Sequence, residues 1–242
     1  MSRHSPPMVV HIIYALTTGG LENGLVNVLN RIPVNRYQHA IICITHSDDF
    51  RLRLADQSIP VIELHKRPGH DVGFYWRLWR TLRRLRPDII HSRNLAALEA
   101  QLFSDGIPGV KRVHPEHGRD ALDPEGLEPR YLRFRRFMRR LVDCYVPVSS
   151  DLAQCLRTEV GVTDEAISPI TDGVDTQRFS PDGDASVPLP IAPELGEDVL
   201  VLGTVGRLDP VKNHRLLIAT LALLRECQPA VFSRLLVVIA GE

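Results

Sequence analysis

MVVHIIYALTTGGLENGLVNVL, residues 8–29, decides the fold. Residues 8–14 are apolar almost throughout, without the strict alternation of a half-exposed strand. Such continuity marks a strand buried on both faces, as in parallel sheets covered by helices. Thr17, Thr18, Gly19 and Gly20 then read as a turn, and residues 21–29 resume with apolar side chains at helical spacing. A buried strand, a glycine turn and an amphipathic helix form the opening of a β-α-β unit.

The same alternation continues outward. Residues 40–45 repeat the continuous apolar run, a polar helix is expected near 49–57, and residues 60–64 read as a third strand. Residues 74–85 have clear helical spacing, and Pro87, which lacks a backbone donor, stops that helix before a strand at 88–91. Residues 96–103, 131–141 and 151–160 read as helices, with strands at 111–116 and 144–148. This predicts an α/β fold with a mostly parallel sheet and helices on both faces.

The composition changes near residue 177. Pro181, Pro188, Pro190 and Pro193 fall in a stretch with no sustained period, so residues 177–197 read as a Pro-rich linker. The pattern then resumes with a strand at 199–205, a helix at 216–227 and a strand at 235–240. The expected organisation is a Rossmann-like domain over residues 1–176, the linker, and the start of a second Rossmann-like domain over 198–242. A single β-α-β unit of about 45 residues cannot bury its own sheet faces, so the chain is expected to be a fragment.

Composition narrows the class. Of 242 residues, 44% are hydrophobic and 24% charged, as in ordinary globular domains. Lys plus Arg equals Asp plus Glu at 29 each, so the bulk charge points to no nucleic-acid partner. The cysteines Cys43, Cys144, Cys155 and Cys227 are scattered, without metal-ligand or redox spacing, and read as reduced thiols of a cytoplasmic protein. No apolar run approaches the roughly 18 residues that a membrane span needs.

GTVGRLDPVK, residues 203–212, carries the clearest chemistry. It lies where a strand turns toward a helix, and open α/β sheets bind ligands at the carboxyl ends of their strands. The glycines permit close backbone approach, and a helix start offers N–H groups and a positive dipole end to an anion. Arg207 supplies a planar fork and Lys212 a mobile point charge, a pair suited to adjacent phosphates. Taken alone, both are equally well read as solvated residues beside a turn.

Five segments in order give the chain a resemblance to the large retaining glycosyltransferase family GT4, built on the two-domain GT-B fold. They are TGGLE at 18–22, EHG at 116–118, VPVS at 146–149, ITDGVD at 170–175 and GRLDPVK at 206–212. The nearest branch is the one associated with exosortase and exopolysaccharide gene clusters. The resemblance implies an acceptor-side N-terminal domain, a nucleotide-sugar-binding C-terminal domain and a cleft between them. Gly19 and Gly20 match the loop whose backbone approaches the donor diphosphate or the acceptor, and Arg207 and Lys212 match the diphosphate grip. His117 matches the cleft histidine near the transferred sugar and is the candidate catalytic residue. Glu22, Ser149 and Asp172 fall on the acceptor side or in the cleft, although capping of the next helix is a sufficient role for a serine at 149. Asp172 stands where the family usually has Asn. The family's Glu-x7-Glu motif has no counterpart in these 242 residues.

The resemblance further implies sugar transfer from a nucleotide diphosphate to a glycan or polyprenyl-linked acceptor in exopolysaccharide synthesis. Configuration is retained, with no metal and no cofactor beyond the donor. Two stretches, Tyr75 to Arg86 and Arg130 to Arg140, hold many arginines among aromatic and aliphatic residues and no acid. They are candidates for contact with the inner face of the cytoplasmic membrane, or helices whose arginine faces simply meet water. The competing reading of the whole chain is an inactive remnant, or a sugar- or phosphate-binding domain without turnover.

Overall fold

A computed structural model describes residues 6–69, 71–104, 106–118, 123, 127–177, 179–180, 198–206, 208 and 210–241. The chain divides into two compact units, Met1–Gly173 and Val174–Glu242. The linker expected at 177–197 and Arg207 lie largely or wholly outside the described residues.

The first unit runs β1 (Met8–Ile13), α1 (Gly20–Leu29), β2 (Gln38–Cys43), β3 (Val61–Glu63), α2 (Val72–Leu85), β4 (Ile89–Ser92), α3 (Asn94–Leu98), β5 (Lys111–Glu116), α4 (Pro129–Met138), β6 (Cys144–Pro147) and α5 (Ser150–Cys155). The strands form one parallel sheet in the order β3-β2-β1-β4-β5-β6. The chain builds outward from β1 in one direction, returns to its other side, and builds outward again. β1 and β4 therefore flank a topological switch point, with a crevice at their carboxyl ends.

Alternation along the strands divides the core. Val10, Ile12, Ala40, Ile42 and Ile90 meet Phe74, Leu78 and Leu82 of α2 on one face. Tyr145 of β6 extends that face toward Leu132 and Met138 of α4. On the other face Ile13, Ile41 and Cys43 pack on Leu25, Val26 and Leu29 of α1. Here His11, His39 and His91 also sit side by side on β1, β2 and β4, with His11 Nδ1 3.0 Å from His91 Nδ1 and His11 Nε2 3.1 Å from His39 Nδ1. Burial first, then His39 and Arg93, pushes the His11 pKa down to about 3, so the imidazole packs as a neutral group.

Local signals set the element ends. Asp71 caps α2 by accepting from the Phe74 N–H at 3.0 Å, and Arg86 ends it in a left-handed turn at φ 47 just before Pro87. Two expected helices are shorter or tighter than their spacing implied. Only a 3-10 turn forms at Asp49–Arg53, capped by Asp48, whose carboxylate accepts from the Phe50 N–H at 2.8 Å. α3 likewise gives way to a 3-10 turn over Glu99–Ser104. That turn carries buried Gln101, whose amide donates to Ser92 Oγ at 2.8 Å and to the Val113 carbonyl at 3.2 Å.

The second unit pairs β7 (Leu200–Val205) with β8 (Leu235–Ala240) in parallel, Leu200 opposite Leu235. A 3-10 turn at Pro210–Lys212, α6 (His214–Cys227) and α7 (Pro229–Phe232) connect them. Leu200, Val201 and Leu202 stay 41–46% exposed, and α6 buries no residue, so one β-α-β unit leaves its apolar faces uncovered. Among the described residues no helix is long and apolar enough to cross a membrane.

Candidate active site

The carboxyl ends of β1, β4 and β5 bring Gly19–Gly20, Arg93–Asn94 and His117–Gly118 to one edge of the sheet. His117 is fixed there from three sides. Its backbone N–H donates to Asn94 Oδ1 at 3.1 Å, and Asn94 itself takes a left-handed φ of 59. Its Nε2 lies 3.3 Å from Arg93 Nη1, and its Nδ1 lies 3.3 and 3.4 Å from the two oxygens of Asp172. Burial, followed by Arg93, lowers the His117 pKa, against the opposite pull of Asp172.

Arg93 is 6% exposed, and its Nη1 also donates to the Leu21 carbonyl of α1 at 3.2 Å. Its Nε is buried without a hydrogen-bond partner. Burial draws the guanidinium down to about 10, while Asp172 and Glu22 act to raise it. A cation is thus held at the switch point, where the sheet offers a crevice. Arg93, His117 and Asp172 line a cavity of ≈ 370 Å³ within the first unit, together with His11, His39 and His91 and apolar side chains such as Val148 and Ile170.

One residue before His117, Glu116 forms a buried ion pair with Arg135 of α4. Behind β4 and β5, His114 Nδ1 lies 2.9 Å from Ser92 Oγ, which also accepts from Gln101. These contacts anchor the ends of β4 and β5 from the opposite face.

The residues singled out in the sequence fall in different places. His117 and Asp172 meet in the cavity. Gly20 has open space around its Cα, and the Glu22 carboxylate folds back to where a side chain on Gly19 would stand. Ser149 lies at the same sheet edge, but its Oγ accepts from the Leu152 N–H at 3.2 Å and caps α5. In the second unit the Lys212 side chain lies along Gly206, where an added Cβ would meet its Cε at 3.4 Å. The start of α6 is capped by Asn213, which accepts from the Leu216 N–H at 3.3 Å. Arg207 lies outside the described residues.

Arg93 is the functional candidate that sequence reading passed over. Its signal was a cation directly after a strand, in HSRN, and that gains meaning only once β4 is known to lie beside β1. Among the described residues no group of three or more His, Cys, Asp or Glu is arranged to hold a metal ion.

The basic stretches also separate. In α2, Phe74, Leu78 and Leu82 are buried, while Trp76 and Trp79 are 57% and 39% exposed. Arg80 and Arg83 lie over their rings at 5.3 and 5.1 Å. Arg83 also donates to the Gly106 carbonyl at 3.1 Å, and Arg77 pairs with Asp71 at 3.0 Å. In and just beyond α4, Arg135 is buried with Glu116. Arg136 donates to the Glu159 carbonyl at 2.7 Å and Arg139 to the Gly161 carbonyl at 2.7 Å.

Comparison with known proteins agrees with this architecture. A D-inositol 3-phosphate glycosyltransferase of Nocardiopsis dassonvillei is 34% identical over 165 residues, covering 64% of this chain and 37% of that protein. The like-named protein of Kribbella flavida is 27% identical over 161 residues, covering 64% of this chain and 38% of that one. The chain therefore spans less than two fifths of these relatives' length. Among solved structures, Anabaena HepE in complex with UDP and glucose has a TM-score of 0.71 at 20% identity, covering 96% of this chain and 60% of that one. Sucrose-phosphate synthase from Thermosynechococcus elongatus has a TM-score of 0.63 at 14% identity, covering 98% and 71%. Both share the fold, which is α/β and GT-B-like, with a Rossmann-like six-stranded unit followed by a β-α-β unit. Residues 18–178 match the sequence profile of Glycosyltransferase Family 4, and the chain belongs to that family.

Proposed function

We propose that the protein transfers a sugar from a nucleotide-diphosphate donor to a glycan or polyprenyl-linked acceptor in exopolysaccharide synthesis, with retention of configuration. The observation that carries this reading is His117, fixed between Arg93 and Asp172 beside a cavity at the switch point of a family-matched sheet. Solved relatives of the fold hold UDP, and one holds glucose as well, which supports a nucleotide-sugar donor.

The diphosphate gathers negative charge as the glycosidic bond breaks, and prepositioned cations and backbone donors stabilise it. We assign that role to Arg207, Lys212 and the backbone of Gly19 and Gly20, without a metal ion. Glu22 and Asp172 then face the acceptor. The leaving phosphate itself takes the acceptor proton in a same-face displacement, so no protein nucleophile is required.

Assay of the protein with UDP-sugars, by donor hydrolysis and transfer, tests the reading. Removing one such donor group typically costs about 100- to 1,000-fold in turnover. Arg207→Ala and Lys212→Ala should each approach that loss, and unchanged turnover in both would remove the assigned grip.

For a lipid-linked acceptor we propose a cytoplasmic protein touching the inner face of the membrane. The solvent side of α2 supports this, because Trp76 and Trp79 lie there with Arg80 and Arg83 over their rings. Indole at the headgroup level and arginine at an anionic surface are complementary. The exposed Phe137 and Arg140 of the second basic stretch would add to that contact.

A further inference from the structure

A guanidinium carries only donors. The 3.3 Å contact between Arg93 Nη1 and His117 Nε2 therefore makes Nε2 the acceptor, with its lone pair directed at Arg93. A neutral imidazole with an unprotonated Nε2 bears its proton on Nδ1. That nitrogen faces both oxygens of Asp172, at 3.3 and 3.4 Å. The row runs from a buried cation through a neutral ring to an exposed anion: Arg93 is 6% exposed and the Asp172 side chain 66%. The Asp172 end is the more open to a ligand.

We propose that Arg93 is a positioning residue that fixes His117 as its neutral Nδ1–H tautomer and so presents that N–H to an oxygen of the bound sugar or acceptor. His117 thereby acts as an oriented hydrogen-bond donor, not as a carrier of protons. Asp172 accepts the Nδ1–H until a ligand oxygen takes it, and its charge balances that of Arg93. The same pairing gives a reason for an acid at 172: a neutral amide there would remove the stronger of the two carboxylate influences on Arg93, those of Asp172 and Glu22. Which nitrogen of a histidine is protonated is commonly set by the hydrogen bond made at the other one. The presentation to substrate rests on the glycosyl-transfer reading of the site, whereas the tautomer does not.

Long-range proton–nitrogen NMR on the full chain tests this, with the His117 signals identified by their loss in His117→Gln. The expected spectrum at pH 8 shows a protonated Nδ1 and an unprotonated Nε2. Arg93→Met should move His117 toward the Nε2–H tautomer, and Arg93→Lys, which keeps a donor, should largely preserve the original one. An Nε2–H tautomer in the unsubstituted chain overturns the proposal whatever the variants do. An Arg93→Met spectrum that leaves the tautomer unchanged overturns it as well. In turnover assays Arg93→Met should lower kcat by about 10- to 100-fold, the scale of a misplaced positioning group. KM should change less than about threefold, and a loss confined to KM counts against positioning. Absence of turnover in the unsubstituted protein would instead overturn the glycosyl-transfer reading, and the spectra would still decide the role of Arg93.

Discussion

Glu116 at the end of β5 and Arg135 on α4 form a buried ion pair immediately before His117. Their side chains are only 7% and 10% exposed, so neither charge has water as an alternative partner. Removing one partner of such a pair typically costs about 3–5 kcal/mol, because the other charge remains buried and unpaired. Arg135→Met should therefore lower the urea midpoint sharply, and Glu116→Leu with Arg135→Met together should lower it less. Equal losses in the single and double variants would mean that packing, not the stranded charge, sets the cost.

Neutral buried histidines make stability depend on pH. The pKa values of His11 and His114 are pushed down to about 3, burial being the first cause for both. Unfolded histidine titrates near 6.5, so unfolding takes up protons between about pH 6.5 and 3, and stability falls as the pH is lowered through that window. At pH 5 the loss is on the order of 2 kcal/mol for each histidine kept neutral. The thermal midpoint should drop between pH 7 and pH 5. His11→Gln should flatten that dependence while also costing some stability at pH 7, since His39 and His91 lose their shared neighbour. A midpoint that is flat from pH 7 to pH 5 would contradict neutral burial.

Unlike β5, KRVHPE, the strands β1 and β2 were legible because each carries a continuous apolar run, VVHIIY and AIICI. That pattern comes from burial on both faces and needs no knowledge of the neighbours. The residues near 49–57 were read as a helix from their polar spacing, yet Asp48 binds the Phe50 N–H and Gln57 turns its amide back to the Leu52 carbonyl at 3.3 Å. Side chains that bond nearby backbone groups compete with a helix, and spacing does not reveal which will win. His117 was legible as a polar residue at a strand end. Arg93 was not, because its meaning depends on β4 returning to pair with β1, a contact between residues some eighty positions apart. Composition alone does not separate the tryptophans of α2 from its leucines: the buried stripe is Phe74, Leu78 and Leu82, and Trp76 and Trp79 fall on the side facing water.

That outward face of α2 gives a binding prediction. Each arginine near an anionic bilayer contributes about 1 kcal/mol, and indoles partition into the headgroup region. The protein should sediment with vesicles containing phosphatidylglycerol and not with pure phosphatidylcholine. Trp76→Ala with Trp79→Ala should reduce the bound fraction about tenfold, and high salt should reduce it further by screening Arg80 and Arg83. Their burial is partial, so the double variant should keep its thermal midpoint within a few degrees. Sedimentation that ignores both lipid charge and the tryptophans would remove α2 as a membrane contact.

Ser149 separates a structural role from a site role. It lies at the sheet edge that holds His117, yet its Oγ is already committed to the Leu152 N–H at 3.2 Å. The helix that it caps is short, Ser150–Cys155, and leads into a wider turn over Leu156–Val160, so the cap helps to start a segment with few internal bonds. Losing a serine cap costs typically about 1 kcal/mol. Ser149→Ala should therefore lower the unfolding free energy in urea by that amount, with a lower midpoint, and leave donor hydrolysis unchanged. Ser149→Asp, which also caps, should restore the midpoint. If Ser149→Ala instead keeps its stability and loses turnover, the hydroxyl belongs to the acceptor side of the site, and capping would be incidental to it.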